Sequence, residues 1–102
     1  MGNDNSITLS TIIQQNDKKF LANTLGEEMV MMNMVNGDFI SMNKVGTDIW
    51  NLSQQPLSVN ELIQKLVKLY DITEPECLSE TMQFLQASME QELFTFHNAN
   101  NT

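Results

Sequence analysis

The sequence predicts an α+β domain in which a small antiparallel sheet precedes three helices. In the first half of the chain, apolar and β-branched residues alternate as they do in strands. In the second half, apolar residues recur every three or four positions, as on one face of a helix. The chain has 102 residues, of which 41% are hydrophobic, so it can bury one core and hardly two.

Three strands are predicted in the first half, with a short apolar piece around residues 20–22 between the first two. Residues 6–14 alternate, residues 28–35 form the clearest strand, and residues 38–42 return beside it. The Asn36-Gly37 pair is a strong hairpin signal because both residues accept the positive φ of a type I′ turn. Such a turn would pair Met34 with Phe39, Met32 with Ser41, and Met31 with Met42.

The predicted hairpin is apolar on both faces. One face carries Val30, Met32, Met34 and Phe39, and the other carries Met29, Met31, Ile40 and Met42. One face can pack on the helices, so the other must be covered by the N-terminal segment or by something else. Four of the 8 methionines fall in this one strand. Methionine suits both irregular cores and adaptable peptide-binding surfaces, and the composition favours the core.

The helices are predicted from their capping residues. Asn43 suits the N-cap of the first helix, which Pro56 ends. Residues 58–61 and 73–76 read as capping boxes that open the second and third helices. The third helix carries its predicted core stripe at Leu78, Met82, Leu85 and Met89. We expect one domain over residues 6–96, with flexible tails at residues 1–5 and 97–102, because both ends are rich in asparagine.

Charge argues against two classes of partner. The chain carries 13 acidic residues against 5 basic ones, a net charge of −8, and all the basic residues are lysine. Arginine is the residue best suited to phosphate and base contacts, so nucleic acid is not expected as a partner. An acidic chain is also repelled by anionic membranes. No apolar stretch or signal segment suggests membrane insertion or export, so we expect a cytoplasmic protein.

Catalytic and metal-binding constellations are nearly absent. His97 is the sole histidine and stands in a polar end, and Cys77 is the sole cysteine. A helix dipole could lower the pKa of Cys77, but a lone cysteine in a small domain is more often an inert filler. The 4 glycines are too scattered for a phosphate loop. We therefore expect no enzyme, no cofactor and no metal site.

Residues 26–33 and 36–50 carry the most specific pattern: an apolar strand, then Met42-Asn43, then Val-Gly-x-x-Ile-Trp at residues 45–50. This pattern resembles the PqqD-like family, the stand-alone recognition domains of ribosomal peptide biosynthesis. The resemblance spans about residues 7–96, and the strand and the Ile-Trp pair are most similar to the lasso-peptide branch. Glu92 stands where many relatives carry glycine, and Phe39 and Ile40 stand where many carry tyrosine.

The resemblance implies a winged-helix-like fold of three strands and three helices that performs no catalysis. Family members bind the leader segment of a precursor peptide and present it to a modifying enzyme or protease. The leader typically adds as an antiparallel strand beside the third strand, in a groove against the third helix. The implied docking strand is Asp38, Phe39, Ile40, Ser41 and Met42. The implied helix wall is Glu80, Thr81, Gln83, Phe84, Ala87 and Ser88.

The lasso-type resemblance implies a leader peptidase as the enzyme served. Two alternatives stay open: a leader-binding chaperone for a radical-SAM peptide-modifying enzyme, and a general adaptor that docks on a folded protein. A DNA-binding winged helix is nearly excluded. Its recognition helix would have no lysine or arginine between Pro75 and Gln91 and would carry Glu76, Glu80 and Glu90.

Overall fold

The computed structural model describes residues 7–98, which form six strands and three helices. The strands are β1 Ile12–Gln15, β2 Phe20–Leu25, β3 Glu28–Asn33, β4 Phe39–Met42, β5 Leu57–Ser58 and β6 Phe94–His97. The helices are α1 Lys44–Leu52, α2 Val59–Tyr70 and α3 Glu74–Met89. The predicted α+β class and the three helices are confirmed. The strands form two three-stranded antiparallel sheets, in the orders β5-β1-β6 and β2-β3-β4, where one was predicted.

The first sheet joins the two ends of the described chain. Ile12 lies opposite both Ser58 of β5 and His97 of β6. The Thr11 hydroxyl donates to Asn98 Oδ1 at 2.6 Å. His97 and Asn98 therefore extend the fold beyond the predicted boundary at residue 96. The rest of the predicted tails, residues 1–6 and 99–102, lies outside the described residues.

The first strand begins later than predicted. The Thr11 N–H donates to the Thr8 carbonyl at 3.1 Å, and the Thr8 N–H donates to Thr11 Oγ1 at 2.9 Å. These two bonds close a turn over residues 8–11, because local hydroxyl bonding competes with extended backbone. The extended region of β1 therefore starts at Ile12 rather than at residue 6.

The second sheet contains the predicted hairpin, with a register that differs by two residues. Met32 lies opposite Phe39, and Met29 lies opposite Met42. The cause is Asn33, whose Oδ1 accepts from the N–H groups of Val35 and Asn36 and so stabilises a four-residue loop. A shift of two residues preserves the faces of a strand, so the predicted division of side chains between the two faces is correct.

The third strand of this sheet is β2, which the sequence pattern did not identify. It pairs along its whole length with β3, and the turn between them is Gly26-Glu27. Gly26 has a φ of 66°, which is what the first central position of a type II′ turn requires. This strand extends the sheet sideways, so it covers neither face of the predicted hairpin.

The helix starts follow the predicted caps. Asn43 Oδ1 accepts from the Gly46 N–H at 2.9 Å, and Ser58 and Glu61 form a reciprocal capping box. Thr73 Oγ1 accepts from the Glu76 N–H at 3.3 Å and caps α3. The helix α1 ends at Leu52, before Pro56 is reached.

The predicted core stripe of α3 is displaced. The buried residues of this helix are Cys77, Thr81, Leu85 and Ser88. Only Leu85 belongs to the predicted set, and each of the other three lies one position before a predicted residue. Small polar residues can occupy this face because their hydroxyls bond locally: Ser88 donates to the Leu85 carbonyl at 2.8 Å.

The core lies between the helices and the inner faces of the two sheets. Its most deeply buried apolar residues are Ile13, Met31, Ile49, Val59, Leu62, Ile63, Leu66 and Leu85. Phe94 of β6 packs at its centre, with ring centroids 5.8 Å from Trp50 and 6.0 Å from Phe84. Met29, Met31 and Met42 are buried, which confirms the core interpretation for these three methionines.

Candidate functional site

The open edge of β4 is the first feature of the candidate site. β4 is the last strand of its sheet, with β3 as its strand neighbour within residues 7–98. The Asn33 N–H donates to the Asp38 carbonyl at 2.8 Å, just before β4 begins. Because bonded and non-bonded pairs alternate in an antiparallel ladder, Ile40 and Met42 turn their backbone groups toward β3. Phe39 and Ser41 therefore point their N–H and C=O groups outward.

The helix α3 forms the opposite wall of a groove beside this edge. At one end of the groove, Val45, which closely follows β4, lines a cavity together with Glu80 and Thr81. At the other end, Phe39 and Ile40 of β4 line an open pocket together with Glu90 and Gln91, which follow α3. The two elements thus run antiparallel along the groove. The α3 residues between its ends, on the same helical face, are Gln83, Phe84 and Ala87.

Gly46 allows α1 to approach α3 closely at the floor of this groove. A Cβ atom at position 46 would lie 3.2 Å from Phe84 Cε1 and 3.4 Å from Met42 Sδ. The Phe84 ring is half-buried, so one side of it packs on the core and the other faces the groove. The middle of the groove therefore has an aromatic floor.

The two ends of the groove differ in chemistry. The end near Val45 is an apolar cavity of about 110 Å³, bounded also by Leu66, Tyr70 and Ile72. The end near Phe39 is polar, and its lining includes Asp38 and Glu90. An apolar side chain fits the first end, and a polar or basic one fits the second.

Two titratable groups at the apolar end are held in their neutral forms. Burial, together with the hydrogen bond that Tyr70 donates to Asp48, raises the pKa of Tyr70 to about 12. Burial also raises the pKa of the Cys77 thiol, whose Sγ lies 3.9 Å from the Ile63 carbonyl oxygen. A buried thiol with a raised pKa is a poor nucleophile, which favours the inert interpretation of Cys77.

The structure divides the predicted site residues into two groups. Solvent-exposed or half-buried side chains that can contact a ligand are Asp38, Phe39, Ile40, Ser41, Glu80, Gln83, Phe84 and Ala87. The side chains of Met42, Thr81 and Ser88 are buried, with exposed fractions of 3–4%. For these three, the prediction of direct side-chain contact needs correction: Met42 faces the core side of its sheet, and the other two occupy the displaced core stripe of α3.

Residues that sequence reasoning did not assign to the site line the apolar cavity: Val45, Tyr70 and Ile72. A signal for two of them was present, because residues 70–72 follow α2 as part of the pattern that carries the family resemblance. Their convergence with Val45 depends on helix packing, which the spacing alone does not give.

Within residues 7–98, no group of three or more histidine, cysteine or carboxylate side chains is arranged to hold a metal ion. In the same part of the chain, no helix has the length and apolar character needed to cross a membrane.

Comparison with known proteins gives one family and one related structure. The family model described as Coenzyme PQQ synthesis protein D (PqqD) matches residues 28–93. No curated protein matches the chain significantly. The solved structure of TbiB1 in complex with the TbiA(beta) leader peptide is similar in fold, with a TM-score of 0.72 and 19% sequence identity. The match covers 87% of this chain and 99% of that one.

The family match begins at the first residue of β3 and ends just before β6, so it includes both walls of the groove. It covers more than half of the 102 residues. The chain belongs to the PqqD family.

Proposed function

We propose that this chain is a non-catalytic recognition protein that binds the leader segment of a ribosomally synthesised precursor peptide. The leader adds as a strand to β4, lies in the groove against α3, and is delivered to a processing enzyme in the cytoplasm. One observation carries the proposal: Phe39 and Ser41 turn unpaired backbone groups outward, on a sheet edge that faces a helix across a groove. Such edges are templates for strand addition.

The geometry also gives the leader a direction. An antiparallel strand enters beside Met42 and leaves beside Asp38. Its side chains opposite Ile40 and Met42 point toward α3, because residues that face each other in a sheet share a face. The apolar cavity at the entry end accepts an apolar leader residue, and the polar exit end lies beside Asp38 and Glu90.

The comparisons support this function without specifying the ligand. The chain shares its family with PqqD and its fold with TbiB1, a protein solved with a leader peptide bound. The enzyme served is proposed to be a lasso-type leader peptidase, on the resemblance of residues 28–32 and the Ile49-Trp50 pair to that branch. A radical-SAM enzyme would use the same groove, so only an enzyme assay separates the two.

The first experiment is fluorescence polarisation of a labelled synthetic leader, taken from the short open reading frame beside this gene, titrated with purified protein. We expect saturable binding near micromolar or tighter, and its loss when the leader is scrambled. No binding by a correctly folded protein would contradict leader recognition and would favour the adaptor alternative.

A second set of leaders tests strand addition itself. Each leader carries one N-methyl group, moved along the chain by one residue at a time. We expect affinity to fall at alternate positions, because in a strand every second N–H points toward the partner strand. Equal losses at adjacent positions, or none, would contradict the proposed mode even if the leader binds.

A further inference from the structure

The outer face of the β2-β3-β4 sheet is apolar and uncovered within residues 7–98. We call the following set the outer sheet face: Leu21, Leu25, Val30, Met32 and Phe39. These side chains line one shallow depression, and Leu21, Leu25 and Phe39 are 58%, 61% and 71% exposed. Contiguous exposed apolar patches on small proteins usually mark interaction sites.

This face is separate from the proposed groove. Side chains alternate across a sheet, so Ile40 and Met42 face the helices while Phe39 and Ser41 face outward. A leader strand added to β4 would also alternate. Its residues opposite Phe39 and Ser41 would therefore extend the outer sheet face by one strand, and this face is continuous with the bound leader.

We propose that the outer sheet face, extended by the bound leader, docks the enzyme that processes the leader-linked peptide. This inference rests on the proposed function. The contact surface of that enzyme is a folded apolar patch bordered by basic side chains. Docking is coupled to leader binding, because part of the surface exists only in the complex.

The charges around the face select a basic partner. Glu28 lies on the face opposite Leu25, Glu27 stands beside it in the turn, and Asp38 stands at the other end. Lys19, which precedes β2, is paired with Glu92. A second copy of this chain would oppose these carboxylates with its own and would add a further net charge of −8. Both effects disfavour self-association.

The size of the face explains the coupling. A stable interface involves roughly 20–30 residues on each partner, and the outer sheet face alone supplies far fewer. The leader strand adds side chains to the same surface. Because coupling between two ligands is reciprocal, the enzyme must strengthen leader binding by the same factor by which the leader strengthens enzyme binding.

The test measures both bindings with the same proteins. The probe is the purified processing enzyme encoded beside this gene, immobilised and titrated with the chain, with and without the leader. We expect the leader to tighten enzyme binding at least tenfold. The double variant Leu21→Ser/Leu25→Ser should weaken enzyme binding at least tenfold and leave leader polarisation unchanged, because β2 is remote from the groove.

The matched control is Leu69→Ser, which removes another largely exposed leucine, on α2, and should leave enzyme binding unchanged. Thermal melting verifies that the variants fold. Wild-type affinity in the double variant, or an enzyme affinity independent of leader, would overturn the inference. A wild-type chain that fails to bind leader would instead overturn the proposed function. A dimer in sedimentation that the double variant abolishes would assign the face to self-association and also overturn the inference.

Discussion

Glu92 occupies a backbone conformation that favours glycine. Its φ is 61°, in the left-handed region, at the turn between α3 and β6. Glycine stands here in many relatives, and the positive φ gives the physical reason, because it has no Cβ to clash with the backbone. The carboxylate of Glu92 partly compensates, since it pairs with Lys19 across the groove end and its carbonyl accepts from Asn16 Nδ2 at 2.8 Å.

We expect Glu92→Gly to raise the melting temperature by several degrees, because relief of backbone strain outweighs the loss of an exposed ion pair. The hydrogen bond from Lys19 lowers the pKa of Glu92, so the contribution of the pair is present above the ordinary carboxyl pKa and is lost as the pH falls through the lowered value. Thermal melts at neutral and acidic pH measure both effects. The control is Lys19→Ala, which removes the pair but keeps the strain and should lower the melting temperature slightly. A lower melting temperature for Glu92→Gly would show that the pair outweighs the strain.

Tyr70 provides a pH-dependent contribution to stability. Its folded pKa is raised from 10.0 to about 12 by burial and by the bond to Asp48. Above pH 10 the unfolded state ionises while the folded state stays neutral, so the free energy of unfolding should fall as the pH rises from about 10 to 12. Tyr70→Phe loses the hydrogen bond at neutral pH but lacks this decline, so the two proteins should converge in stability near pH 12. Urea unfolding across this range measures the difference.

Tyr70 is the only tyrosine, so the ultraviolet absorbance of phenolate reports its titration directly. Ionisation of the folded protein at the ordinary tyrosine pKa would contradict the buried, bonded geometry.

The two edge strands of one sheet offer a matched pair of variants. The Met34 N–H donates to the Lys19 carbonyl at 2.8 Å, so by alternation Thr24 of β2 points its N–H outward, as Ser41 does on β4. Ser41→Pro should weaken leader binding by about tenfold or more, because proline removes a donor that the leader strand needs. Thr24→Pro should leave leader binding unchanged, since it alters the edge on the far side of the sheet. Leader polarisation and thermal melting of both variants make the comparison.

Similar stability of the two variants is expected, because both prolines replace exposed edge residues. Equal leader affinity in both variants would contradict docking at β4. A loss confined to Thr24→Pro would assign the leader to the opposite edge.

At the scale of elements, local signals predicted what local chemistry determines. The caps at Asn43 and Ser58 start helices because their side-chain oxygens satisfy the first free N–H groups. The hairpin register was wrong because the Asn33 side chain stabilises a longer loop, and an Asn-Gly pair alone does not reveal this bond. The strand β2 was missed since its alternation is weak: its exposed side carries Leu21, Asn23 and Leu25.

At the scale of the whole molecule, the sequence could not reveal long-range pairing. The strand β1 binds β5 and β6 rather than the hairpin, and nothing local to residues 12–15 specifies partners some forty and eighty positions away. The candidate site depends on the same kind of information. Its strand was predicted from the family resemblance, whereas the buried state of Thr81 and Ser88 follows from how α3 packs on the core.

The net charge of −8 is a property of the whole chain that should govern leader encounter. Acidic residues stand at both ends of the groove, with Glu80 at the entry and Asp38 and Glu90 at the exit. A leader with basic residues is therefore attracted, and its association rate raised, at low salt. The Debye length shrinks from about 30 Å at 0.01 M to about 3 Å at 1 M salt, which removes this attraction.

We expect leader affinity to weaken steadily over that range, with most of the change in the association rate, as stopped-flow polarisation would measure. A leader whose lysines and arginines are replaced by glutamine is the control, and its affinity should be nearly independent of salt. If the natural leader also binds with equal affinity at low and high salt, backbone pairing and apolar contacts account for recognition and the acidic groove ends play no part in it.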